Sequence, residues 1–193
     1  MKIDSGIISL DILYNFVKVK NDKGEYREIP HRTKDKEVYI PYRELVEKIV
    51  SSIPEDPGWY AWFKKGTSKP NYIGVSSKGK TSDLKARIFE ELKEEYVAFW
   101  FTVDEDCAEV LTQKYNRKYS QKRAQKKSGS DAIIWVSYPE ALSGKRGILD
   151  VVEQKLINEF DPDANEDKRD YSDIKIKEFL IVKKIMQEAF RVK

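Results

Sequence analysis

Apolar and polar residues alternate in short runs along the first two thirds of this chain, then settle into the three-and-four spacing of helices toward its end. Residues 12–29, ILYNFVKVKNDKGEYREI, predict two strands joined by a turn at Asn21-Asp22-Lys23-Gly24. The segment YIPYRELVEKIVSSI predicts a helix with Pro41 near its first position, burying Leu45, Ile49 and Ile53 and broken by Pro54 and Pro57. A hairpin follows, with strands at 58–64 and 71–75 around the polar turn KGTSKP. A glycine-bearing loop then runs into a helix with Ser82 or Asp83 as N-cap and Leu84, Ile88, Leu92 and Tyr96 as its buried stripe. VAFWFTV predicts a buried strand, a polar helix begins near Glu105, and AIIWVS predicts a further strand. The last two helices are expected at about 148–160, ending before Asp161-Pro162, and about 173–191, where Ile174, Leu180, Ile185, Met186 and Phe190 pack on the body. No internal repeat or low-complexity tract interrupts the pattern. Hairpins mixed with helices place the fold in the α+β class.

With 193 residues, 40% of them hydrophobic and 36% charged, the chain can build one core with decorations, and its composition is not that of a disordered segment. No run approaches the roughly 20 apolar residues of a membrane span, and the N-terminus lacks a basic-then-apolar leader. The single cysteine, Cys107, excludes an internal disulfide framework and a cysteine-based zinc site, so the expected setting is reducing and cytoplasmic. A net charge of +3 is too small to name a partner.

Helix 148–160 carries the sharpest chemical signal. Leu149, Val152, Leu156, Ile157 and Phe160 share one face, and Glu153 falls on that same face. A carboxylate there costs several kcal/mol, roughly, unless a cation or donors meet it. It is either a buried ion-pair partner or a rigidly held ligand or catalytic acid. Arg87 flanks the stripe of the earlier helix, one turn before Glu91, where its simplest role is an i, i+4 pair on a solvated face.

Four motifs in order resemble the GIY-YIG nuclease superfamily over about residues 57–166. GWY at 58–60 resembles the first tripeptide, with tryptophan replacing isoleucine, and YIG at 72–74 matches the second. DLKAR resembles the helix carrying the family arginine, Arg87 here, and VVEQKLINEFDPDAN resembles the final motif, with Glu153 and Asn165 at its functional positions. The chain departs from the family in a longer loop after YIG and in Glu91, where many members carry a histidine. Its one histidine, His31, lies far upstream and reads as a surface residue.

The resemblance implies a small antiparallel sheet flanked by helices, with a nuclease core at 54–170, an insertion at about 104–147, an N-terminal hairpin-helix extension over 1–53 and a C-terminal helix over 171–193. It implies that Tyr60, Tyr72, Arg87 and Glu153 are catalytic, with Gly58, Gly74 and Asn165 in support. Glu153 is then the sole protein ligand of Mg²⁺ or Mn²⁺, Arg87 holds a phosphate oxygen, Tyr60 is the general base and Tyr72 orients water or phosphate. A phenol with a pKa near 10 needs a cation beside it to act as a base, and Lys78, Lys80 and Lys85 are the candidates.

The run KYNRKYSQKRAQKK places Lys114, Arg117, Lys118, Lys122, Arg123, Lys126 and Lys127 together without an acid, with Tyr115 and Tyr119 between them. Beside a nuclease core such a run reads as a phosphate-tracking surface rather than an ordinary solvated face. The leading expectation is a metal-dependent DNA endonuclease of restriction or mobile-element type, with homodimerisation as one route to cutting both strands. The alternative is a nucleic-acid-binding module on a retired nuclease scaffold.

Overall fold

The computed structural model describes residues 2–16, 19–21, 24–26, 36–77, 83–93, 130–143, 146–165, 168–171 and 173–192. In chain order these form β1 (Asp4–Ser9), α1 (Asp11–Phe16), β2 (Val19–Asn21), β3 (Gly24–Tyr26), α2 (Lys36–Val50), β4 (Gly58–Phe63), β5 (Tyr72–Ser76), α3 (Leu84–Lys93), β6 (Ala132–Ser137), a 3₁₀ turn (Pro139–Ser143), α4 (Arg146–Phe160) and α5 (Lys177–Phe190). A four-stranded antiparallel sheet in the order β1-β6-β4-β5 forms the centre, and β2 and β3 make a separate hairpin. This is an α+β fold.

Every residue of the central strands β4 and β6 is buried, because helices cover both sheet faces. The two-residue period of a strand sorts the side chains. Tyr60 and Trp62 join Tyr72, Leu84, Ile88, Leu92 and the α2 residues Tyr42, Val46 and Val50 on one face. Trp59, Ala61 and Phe63 join Ile73, Leu149, Val152, Leu156, Val182, Met186 and Phe190 on the other. The Trp59 indole N–H donates to the Leu149 carbonyl at 2.9 Å, tying α4 to the strand that carries Tyr60.

Several elements differ from their sequence expectation. Residues 11–16 are helical rather than extended: Leu10 and Leu13 bury at helical spacing, and the Ser9 hydroxyl accepts the Asp11 backbone N–H. Of the expected hairpin, residues 19–21 and 24–26 pair antiparallel as β2 and β3, and the rest lies outside the described residues. β1, read as no element from sequence, pairs along the whole of β6. In α2 the fully buried stripe is Tyr42, Val46 and Val50, with the Tyr42 hydroxyl reaching the Leu92 carbonyl of α3 at 2.8 Å; Leu45 and Ile49 are partly buried beside it, and Ile53, after the helix, is buried as expected. That helix also starts earlier than expected, so Pro41 lies inside it. In α5, Met186 and Phe190 are buried and Ile185 packs against them as expected, joined by Val182 and Ala189, while Leu180, and Ile174 before the helix, are exposed. α4 ends where expected, with Asp161 in the left-handed region at φ 49° and Pro162 unable to continue the helix. The predicted strand VAFWFTV and the helix from Glu105 lie outside the described residues, as do His31 and Cys107.

Candidate active site

The β4–β5 pairing sets the two tyrosines. Tyr60 stands opposite Gly74 and Trp62 opposite Tyr72, so the two tyrosine rings are diagonal neighbours on one face, 6.1 Å apart at 54°. Gly74 makes this arrangement possible: a Cβ there would lie 2.4 Å from the Tyr60 ring. Gly58 is held as tightly, since its Cβ would come within 2.1 Å of the Val136 carbonyl oxygen.

α3 crosses the same face. The Asp83 carboxylate accepts the Ala86 backbone N–H at 2.7 Å and caps the helix. Arg87 follows in the first turn. Its Nε donates to the Tyr60 hydroxyl at 3.1 Å and its Nη2 pairs with Glu91 at 2.9 Å. The Tyr60 hydroxyl in turn donates to Glu91 Oε1 at 2.6 Å, and the Trp62 indole N–H donates to Glu91 Oε2 at 3.0 Å. The i, i+4 pair expected between Arg87 and Glu91 therefore exists, but not on a solvated face: the Glu91 side chain is 7% exposed and that of Arg87 38%. Arg87 forms the outer side of the cluster and Tyr60, with no exposed surface, the inner.

These neighbours fix the ionisation of the pair. Burial above all, then the charges of Glu91 and Tyr72, push the Tyr60 phenol well above its ordinary value, and Arg87 only partly opposes them. Tyr60 and Glu91 hold the Arg87 guanidinium above its already high value, so it stays cationic. A free-standing phenolate at Tyr60 is thus disfavoured. Lys85, proposed to relieve this, instead pairs with Glu55 at 2.8 Å on the surface. Lys78 and Lys80 lie outside the described residues.

The structure brings Tyr60, Tyr72 and Arg87 together. Glu153 comes from the other layer, on α4, which packs along β5 from the opposite face. The Ser77 hydroxyl, just past β5, meets the Asp150 carboxylate of α4 at 3.4 Å, one turn before Glu153. Glu153 is half-buried rather than sunk in the core, although Leu149, Val152, Leu156, Ile157 and Phe160 around it bury as expected. Among the described residues no group of three or more His, Cys, Asp or Glu side chains could hold a metal ion. Mg²⁺ asks for less, one or two carboxylates with water, and Asp150 and Glu153 offer two carboxylates one turn apart on α4.

Asn165 has a definite role. Its side-chain oxygen accepts the Ile73 N–H at 2.9 Å and its amide donates to the Ile73 carbonyl at 2.8 Å, imitating a paired strand along β5. Ile73 is fully buried, so Asn165→Ala strips both partners from buried backbone groups at about 1–3 kcal/mol each. Thermal melting should fall by several degrees, and an unchanged melt would show that other groups replace the clamp.

No family model, curated protein or solved structure matches the chain. The basic residues Lys114 to Lys127 lie outside the described residues. Among those described, no helix is long and apolar enough to cross a membrane. Sequence reasoning did not single out Trp62, and it paired Arg87 with Glu91 without reading the burial of Glu91. The signal for that burial was present: Glu91 lies seven residues, nearly two turns, after the buried Leu84 and three after Ile88.

Proposed function

We propose that this protein is a metal-dependent DNA endonuclease of the GIY-YIG type. The observation that carries the proposal is the convergence of Tyr60, Tyr72 and Arg87 on one face of the β4–β5 hairpin, with the outer side of Arg87 open to solvent. A guanidinium so placed can present its free donors to a phosphate oxygen while Tyr60 fixes its Nε edge. Tyr72, on the edge strand β5 beside Tyr60, would orient a water or phosphate. Glu153, with Asp150 beside it, would hold Mg²⁺ or Mn²⁺ at the flank of β5, and that ion when bound supplies Lewis-acid polarisation of the scissile phosphate. In this reading a substrate would lie across the β5 edge, between the two sets of residues. The basic run from Lys114 to Lys127 supplies sequence-independent affinity in this reading.

One observation favours a second reading, a nucleic-acid-binding module without catalysis: Tyr60 is sealed from solvent and the charge of Arg87 is matched by Glu91. Incubation with supercoiled and linear DNA, with Mg²⁺ and with chelator, separates the two. Metal-dependent nicking or cutting supports the nuclease. Salt-sensitive binding without cleavage supports the module.

A further inference from the structure

Glu91 is the single buried carboxylate among the described residues, and Tyr60, Trp62 and Arg87 all donate to it. We propose that Glu91 is the proton acceptor behind Tyr60: it holds the Tyr60 hydroxyl proton inward and receives it when Tyr60 takes a proton from an attacking water. The proposal rests on the nuclease reading and assigns a role to a residue outside the four that carry the family resemblance.

The direction of the hydrogen bonds requires this order. An ionised carboxylate only accepts, so Tyr60 must donate across the 2.6 Å contact. Arg87 Nε–H occupies one lone pair of the phenol oxygen at 3.1 Å. One lone pair remains, and a water can meet it only as a donor. As the water oxygen bonds to phosphorus, its proton passes to Tyr60 and the Tyr60 proton passes to Glu91. The phosphorus–oxygen bond to the departing 3′ oxygen breaks, and that oxygen takes a proton from solvent. Glu91 then returns its proton to solvent through Tyr60. No phenolate stands free at any stage, which suits a phenol that burial and Glu91 keep protonated. Access to Tyr60, which has no exposed surface, would run past Arg87, the partly exposed member of the cluster. Glu91 acts through Tyr60, so it is a positioning and proton-accepting residue that touches no substrate.

Single-turnover cleavage of supercoiled DNA by the full chain with Mg²⁺ tests the relay. Glu91→Gln keeps the shape and an oxygen for Tyr60 but is a poor proton acceptor. Its kcat should fall by about 10²-fold or more, while KM for DNA stays level or drops because Arg87 keeps its whole charge for phosphate. Trp62→Phe removes the donor on the other carboxylate oxygen and leaves the acceptor, so its kcat should change only several-fold. A wild-type kcat in Glu91→Gln overturns the proposal. Equal losses of activity and melting temperature in both variants assign Glu91 to the core and overturn it as well. Should Glu91→Gln not fold, the wild type decides: its rate plotted against solvent deuterium fraction curves for two protons in flight, and a straight line overturns the relay. A wild type that cleaves no DNA overturns the nuclease reading, and the relay with it.

Discussion

Tyr60→Phe is expected to lower metal-dependent DNA cleavage by about 10²-fold or more while the hairpin stays folded. The ring is what Gly74 and Tyr72 pack against, and phenylalanine keeps it. The hydroxyl is what Glu91 and Arg87 share. Removing it leaves Glu91 with the Trp62 and Arg87 donors, so the carboxylate is still paired. The stability loss should therefore sit near the lower end of the roughly 1–3 kcal/mol expected for a damaged buried hydrogen bond, a few degrees in melting temperature. Single-turnover cleavage and a thermal melt on the same preparation separate the two effects. A wild-type rate would remove Tyr60 from the chemistry, and a collapsed melt would make the hydroxyl a structural group.

The parts of this arrangement legible in the sequence were those set by short-range rules. The hairpin at 58–76 could be read from its two aromatic-bearing runs and the polar turn between them, strand 132–137 from its apolar run, and α4 from its three-and-four spacing and the Asp161-Pro162 stop. What failed depended on distant partners. β1 is an edge strand, DSGIIS, with only Ile7 and Ile8 large and apolar, and its pairing is decided by β6 more than 120 residues later. In α2 the spacing marked the partly buried Leu45 and Ile49 and left out Tyr42, an aromatic residue whose polar tip meets a carbonyl on α3. The burial of Glu91 escaped for the complementary reason. On a helix containing Lys85, Arg87, Glu90 and Lys93, a glutamate looks solvated unless its angular position is weighed above its charge. Its donors Tyr60 and Trp62 lie about 30 residues upstream on β4, so helix periodicity could mark the position but not the partners that make its burial tolerable.

Glu153→Ala is expected to abolish Mg²⁺- and Mn²⁺-dependent cleavage, leaving background rates, while changing stability by no more than about 1 kcal/mol. α4 has several anchors besides this side chain. Leu149, Val152, Leu156, Ile157 and Phe160 are buried, the Trp59 indole fixes the Leu149 carbonyl, and Ser77 holds Asp150. Alanine is also the best helix former, which offsets part of any packing loss at a half-buried site. A folded protein that still binds DNA but no longer cleaves it is the expected result, checked by thermal melting, a binding titration and cleavage across a range of Mg²⁺ concentrations. If cleavage returns only at high Mg²⁺, Asp150, one turn earlier on α4, shares the ion and the single-ligand expectation gives way to a pair. If cleavage continues at the wild-type rate, the metal is held elsewhere. The partly buried carboxylate of α4 is then a structural group, and the catalytic case would rest on the Tyr60, Arg87 and Glu91 cluster alone.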